Sequence, residues 1–138
     1  MDHLEFAQFR KSLKKTQREL AQLLGTSLKA VHSYEQGWRQ IPPNVERQLL
    51  FLYALKIRQR GRPRVCWAIR KCPKEQRLKC PAWEFRTGHL CWFINGTICI
   101  GRAQRSWQEK IKSCKSCPVF QSTWINPPQP DREPAPAP

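Results

Sequence analysis

The sequence predicts a chain in two folded parts: an all-α N-terminal domain of four or five helices, then a small, irregular α+β module rich in cysteine. A disordered, proline-rich tail follows. Three observations carry this prediction. Residues 1–57 hold helix-capping and helix-stop signals at helical spacing. All seven cysteines fall between Cys66 and Cys117. The end of the chain from Asn126, NPPQPDREPAPAP, has too many prolines and too few apolar residues to bury a core. The boundaries are 1–57 for the helical domain, 58–64 for a linker, 65–120 for the module and 121–138 for the tail.

In the first part, residues 2–14 read as a helix, with Phe6, Phe9 and Leu13 spaced to bury one stripe. Thr16 followed by Glu19 forms a capping box, which opens a helix running to Leu24 with Leu20, Ala21 and Leu24 inward. Gly25 permits the left-handed turn that closes it. Thr26 or Ser27 caps a second short helix that ends near Gln36, with Gly37 as its stop. Ala30, Val31 and Tyr34 take one side of that helix, and Leu28, Lys29, His32, Ser33 and Gln36 the other. Pro42 and Pro43 open a fourth helix where a missing amide proton costs nothing. Its apolar run, from Val45 through Leu49–Tyr53 to Leu55, is wide for so small a domain, and part of it could cover a partner copy or the module.

At these residues the chain resembles the helix-turn-helix of the Cro/repressor (XRE-like) family. T-Q-x-E-L-A-x-x-x-G-T-S at Thr16–Ser27 and V-x-x-Y-E-x-G-x-R-x-I-P at Val31–Pro42 carry the likeness over about residues 1–57. The resemblance implies a DNA-binding head whose helix from Ser27 enters the major groove. Lys29 and Ser33 then stand at base-reading positions, and Gln17, with Arg18 beside it, grips backbone phosphate. Leu28, where relatives often carry a polar residue, could meet a thymine methyl. His32, Gln36, Trp38 and Arg39 become flank or phosphate contacts. The resemblance also implies that Arg10 pairs with Glu35, and that two copies read paired half-sites as a homodimer. The blander alternative is a helical hairpin reused for protein contacts.

Charge agrees with a polyanionic partner. The net charge is +15 and the pI about 10. The linker, Arg58-Gln59-Arg60-Gly61-Arg62-Pro63-Arg64, holds four arginines and no acid. Arg60 and Arg62 form the core of an AT-hook sequence, which places arginines in a narrow minor groove. Non-specific screening of phosphate is the simpler account. No apolar run reaches membrane-spanning length, and MDHLEF lacks a signal-peptide pattern, so a cytoplasmic protein is expected.

The seven cysteines, Cys66, Cys72, Cys80, Cys91, Cys99, Cys114 and Cys117, are candidate metal ligands as a set whose active subset the spacing leaves open. In a reducing compartment they argue for metal or redox chemistry rather than a disulfide framework. Aliphatic residues are few, and metal binding would supply the missing folding free energy. Cys114-x2-Cys117 is a knuckle that both zinc and iron–sulfur centres use. The Cys-Pro pairs at Cys72, Cys80 and Cys117 and the nearby tryptophans suit an iron–sulfur cluster, while a single Cys-x2-Cys weakens the case for Zn2+. Surplus thiols could be buried hydrophobes, a second site or a redox pair. His89 is more readily a surface residue than a ligand. The motifs CW-x4-CP-x6-CPAW, GHLCW, GTICIG and C-x2-CPVF resemble the bacterial two-CW domain, a cysteine-rich module of obscure role. No paired carboxylates or base–nucleophile arrangement stand in 66–120, where Glu75, Glu84 and Glu109 are the acids, so no enzyme is expected. The expectation is a transcriptional regulator of double-stranded DNA controlled through a metal or iron–sulfur centre. The alternative is a DNA-tethered adaptor whose module is a structural zinc-bound domain that docks a protein partner.

Overall fold

The structure is a computed structural model that describes residues 1–57, 66–88, 90–99 and 102–122. Two compact units divide these residues, one on each side of the linker. Arg60, Arg62, His89 and the tail from residue 123 lie outside the described residues.

The first unit consists of α1 (His3–Ser12), α2 (Gln17–Leu24), α3 (Leu28–Gln36) and α4 (Pro43–Ile57). Each start has a local cause. Asp2 and Glu5 form a capping box on α1, and Thr16 and Glu19 form the one expected on α2. Ser27 caps α3 by accepting from the Ala30 amide at 3.0 Å. Each stop also has one. Gly25 and Gly37 adopt φ of 66° and 75°, and a Cβ at Gly37 would in addition meet the His3 ring at 3.3 Å. The helix expected over 2–14 is shorter, because Lys14 takes a left-handed φ of 56°.

α1 packs on α3 and α4, and α2 on α3 and α4. Phe6 meets Tyr34 edge-on at 5.7 Å and Phe9 meets Tyr53 at 4.9 Å. Leu13, Leu20, Val31, Val45, Leu49 and Leu50 complete the core. The wide apolar face of α4 is largely ordinary core: Tyr53 and Ala54 are buried, Phe51 and Leu52 half-buried, and Leu55 exposed. Buried Glu46 lies 3.3 Å from the Met1 amino group.

The second unit is more helical than the expected α+β mixture. It contains α5 (Cys66–Ile69), α6 (Lys74–Arg77), α7 (Pro81–Glu84), α8 (Cys91–Ile94), α9 (Trp107–Lys115) and α10 (Pro118–Ser122). β1 (Ile98–Cys99) and β2 (Arg102–Ala103) form a short antiparallel pair, with Ile98 opposite Ala103 and Cys99 opposite Arg102. Helices stay short because Pro73, Pro81 and Pro118 restart the chain and Lys71 and Arg86, at φ of 50° and 52°, stop it. α10 reaches Ser122, so the folded region extends past the expected boundary at residue 120. Trp92, Trp107, Ile111, Val119 and Phe120 form a core, with Leu90 and Ala82 buried too.

Candidate nucleic-acid interface and cysteine cavity

The outer face of α3 begins at its capped N-terminus. Leu28, Lys29, His32 and Gln36 are all exposed there, one turn after another. Ser33 is not. It is 8 % exposed, so its expected place on the outer face is corrected. Its carbonyl accepts the amide protons of Trp38 and Arg39 at 3.0 and 3.4 Å. Those two bonds close the C-terminal turn of α3 at Gly37. Arg18 and the N-cap Ser27 are exposed.

Two side chains past the helix end extend this face. Trp38 is 71 % exposed and meets His32 edge-on at 5.5 Å. The Arg39 guanidinium stands 5.5 Å from the Tyr34 ring centroid, which holds the charge beside the end of α3.

Beneath the face lies a polar brace. Arg10 Nε and Nη2 donate to the two carboxylate oxygens of Glu35, the second at 3.1 Å. Arg10 Nη1 also donates to the Lys15 carbonyl at 2.9 Å. The pairing implied by the resemblance is therefore present, and it is bidentate and largely buried. Gln17 joins it, donating from Nε2 to Glu35 at 2.9 Å. Burial alone would raise the Glu35 pKa, but the donors Arg10 and Gln17 outweigh it and hold the carboxyl below its ordinary value. One carboxylate thus locks α1 and α2 to α3.

In the second unit all seven cysteines line one cavity of about 370 Å³. Trp67, Trp83, Trp92 and Phe120 supply much of its apolar wall. Trp67 meets Trp83 edge-on at 4.8 Å, and Arg77 stands 5.2 Å from the Trp83 ring. No cysteine is in a disulfide, and Cys114 is the most buried. Among the described residues, no three His, Cys, Asp or Glu side chains converge closely enough to hold one metal ion. The thiols share a cavity without sharing a point.

Their electrostatics are uneven. The neighbouring Cys91 thiol lowers the Cys66 pKa to about 7, while Cys66 and burial push that of Cys91 up. Burial raises Cys114 to about 11, against the pull of Lys110. Arg70 Nη2 donates to Cys117 Sγ at 3.0 Å. Asn95 Nδ2 donates to Cys80 Sγ at 3.6 Å.

Three cavity residues, Lys110, Arg70 and Asn95, were absent from the expected site. Lys110 is 1 % exposed, and its ammonium donates to the carbonyls of Cys91 and Trp92 in α8 and of Gly96 just beyond it. Trp92 carries a buried indole N–H without a hydrogen-bond partner, and the Asn95 Oδ1 is likewise unpaired. Lys110 was legible in principle: Trp107, Lys110, Ile111 and Cys114 make a stripe at i, i+3, i+4 and i+7, with a cation where an apolar residue belongs. Arg70 and Asn95 gave no such signal.

No helix among the described residues is long and apolar enough to cross a membrane. No curated protein and no solved structure matches the chain. Residues 6–47, which span the α1 core residues, the capped pair α2–α3 and the start of α4, match the helix-turn-helix family model, and this supports a DNA-binding regulator with a Cro/repressor-type head.

Proposed function

We propose that this protein is a sequence-specific DNA-binding transcriptional regulator whose two-CW-like module, residues 65–120, holds a metal or iron–sulfur centre that controls operator affinity. The observation that carries the DNA half is the exposed stripe Leu28, Lys29, His32 and Gln36 on a helix braced through Arg10, Glu35 and Gln17. A reading helix must be held rigidly, because side-chain contacts to base edges tolerate little misplacement.

Within this reading α3 enters the major groove and Lys29 donates to base edges from its first turn. Leu28 packs on a thymine methyl. Gln17 keeps a second amide N–H for phosphate while the first holds Glu35. Arg18, Trp38 and Arg39 contact the flanking backbone, as do Arg60 and Arg62 of the linker. Paired heads as a homodimer would read half-sites one helical turn apart.

The cavity is what supports the second half. Its donor set is thiol sulfur, and an unpaired indole N–H lines it, which suits a bound group that accepts hydrogen bonds. An iron–sulfur cluster would supply a one-electron redox change there. Around it, the tryptophans exclude water and Lys110 and Arg70 offset negative charge. The competing reading, a structural zinc domain for a protein partner, needs four thiolates at about 2.3 Å from one ion, hence roughly 3.8 Å from one another. Among the described residues no trio converges on one point, and this bears on any single-ion centre, zinc or iron, alike.

The test is anaerobic purification followed by an ultraviolet–visible spectrum, metal and sulfide analysis, and operator binding before and after oxidation. A coloured protein with iron and sulfide whose affinity changes on oxidation is expected. Metal-free protein, or affinity blind to the centre's state, would overturn metal control while leaving the head's DNA binding intact.

A further inference from the structure

We infer that residues 70–86, around α6 and α7, form a second DNA-binding surface, which takes single-stranded DNA by stacking unpaired bases on Trp83 and Phe85 while the surrounding cations follow the phosphates. No thiol and no bound group takes part, so the surface works whatever the cavity holds. Only the choice of DNA leans on the function proposed for the head.

Among its described residues, the second unit exposes three large apolar side chains, and all three fall between residues 78 and 85. Leu78 is 70 % exposed, Phe85 61 % and Trp83 36 %. Single exposed apolar residues are ordinary, but several together mark a surface that meets a partner. The cavity does not account for this exposure. Leu78 and Phe85 sit at the C-caps of α6 and α7, and neither of them lines the cysteine cavity.

Cations are interleaved with these side chains. Arg70, Lys71, Lys74, Arg77, Lys79 and Arg86 stand in the segment against two acids, Glu75 and Glu84. Of the cations all but Arg77 are exposed, and neither acid is in an ion pair among the described residues. Arg77 is held in place. Its Nε donates to the Cys72 carbonyl at 2.8 Å, and its guanidinium stands 5.2 Å from the Trp83 ring centroid. Trp67 meets the same ring edge-on at 4.8 Å. Trp83 is therefore fixed before a ligand arrives, which lowers the entropy lost on binding.

Flat rings among cations complement a strand whose bases are unpaired and whose phosphates run alongside them. A duplex keeps its bases stacked on one another and leaves Trp83 and Phe85 nothing to stack on. A membrane surface fits less well. Peripheral binding takes a helix with one broad apolar face, whereas α6 and α7 have four residues each and their apolar side chains alternate with charge. DNA rather than RNA follows from the head: in one chain, a head on duplex DNA keeps this surface at high local concentration beside any strand separated nearby.

The experiment uses the full chain, purified without oxygen, and reads fluorescence anisotropy with labelled oligo(dT), a random-sequence duplex of the same length and oligo(U). Vesicles of phosphatidylcholine and phosphatidylserine are read by co-sedimentation, and circular dichroism checks that each variant is folded. Phe85→Ala should weaken oligo(dT) binding at least about fivefold, the low end for one lost stacked base, and leave duplex binding within about twofold. The double variant Lys74→Gln, Lys79→Gln tests the charge separately at two exposed positions. It should flatten the slope of log K against log salt for oligo(dT) by about 1.4, roughly 0.7 for each phosphate contact, and Phe85→Ala should leave that slope unchanged. No loss in Phe85→Ala, or equal loss on oligo(dT) and duplex, overturns the stacking surface. An unchanged slope in the double variant overturns the phosphate track. Tighter binding to oligo(U) than to oligo(dT) overturns the choice of DNA. Vesicle binding that Phe85→Ala abolishes while oligo(dT) binding stands would make the patch a membrane surface instead.

Discussion

The head and the module solve the same packing problem with opposite materials. The head has helices of 10, 8, 9 and 15 residues closed over Phe6, Phe9, Leu20, Val31, Leu49 and Leu50, with the Arg10–Glu35 brace set at the edge of that core. In the module the longest helix has nine residues, the remainder four or five, and the centre holds thiols and a lysine. Short helices cannot bury much apolar surface each, and nucleating them is costly. The contrast teaches that the head has an apolar core of its own, whereas the module, on the proposed reading, would draw stability from what its cavity holds.

The largest expected effect breaks that symmetry outright. Stripping metal from the holoprotein with a chelator should collapse hydrogen-exchange protection across residues 66–122 and leave protection in α1–α4 unchanged. Binding free energy in such domains is folding free energy, on the order of 10 kcal/mol for a structural metal. Undiminished protection in α9 would show that the module stands without its ligand. Phe6→Ala is the converse. It should destabilise the head by about 3–5 kcal/mol in urea unfolding while the metal spectrum persists. A cost below about 1 kcal/mol would mean that the core collapses around the gap.

Function separates the two units further. Lys29→Ala should weaken specific operator binding by about 1–3 kcal/mol with iron content unaffected, and an unchanged footprint would remove Lys29 from base reading. Glu35→Gln should cost the head about 2 kcal/mol, the scale of hydrogen bonds to a charged group. Its pH signature is distinctive. The folded pKa of Glu35 is depressed, so its stabilisation is fully present above the unfolded-state value, about 4.3, and is lost as pH falls through the folded value. The variant should therefore show a flatter acid limb, and identical limbs would exclude Glu35 as the acid-sensitive group. The smallest effect is Lys14→Gly, which relieves a left-handed φ of 56° and should stabilise the head by less than about 1 kcal/mol, since glycine's added chain entropy offsets part of the gain. A loss would mean the Lys14 side chain makes a contact that matters.

Local chemistry made most of the head legible. Thr16–Glu19, Gly25, Ser27, Gly37 and Pro43 mark helix ends through hydrogen bonds and φ values that act within a few residues, and the structure puts the ends of α2 and α3 there. Ser33 escaped because helical spacing puts it beside Lys29, and spacing alone does not say how far round α3 the packing of its neighbours reaches. The spacing of the cysteines predicted a shared chemistry but not a shared cavity. Bringing Cys66 to Cys91 and Cys80 to Asn95 depends on how six short helices pack, and none of those helices has enough residues for its own pattern to dictate a neighbour. The burial of Lys110 and the reach of Arg70 to Cys117 were decided the same way. Capping, turn chemistry and apolar spacing act along the chain and so are written in it. The arrangement of charges and thiols around a cavity arises from segments far apart in sequence, and only their packing brings it about.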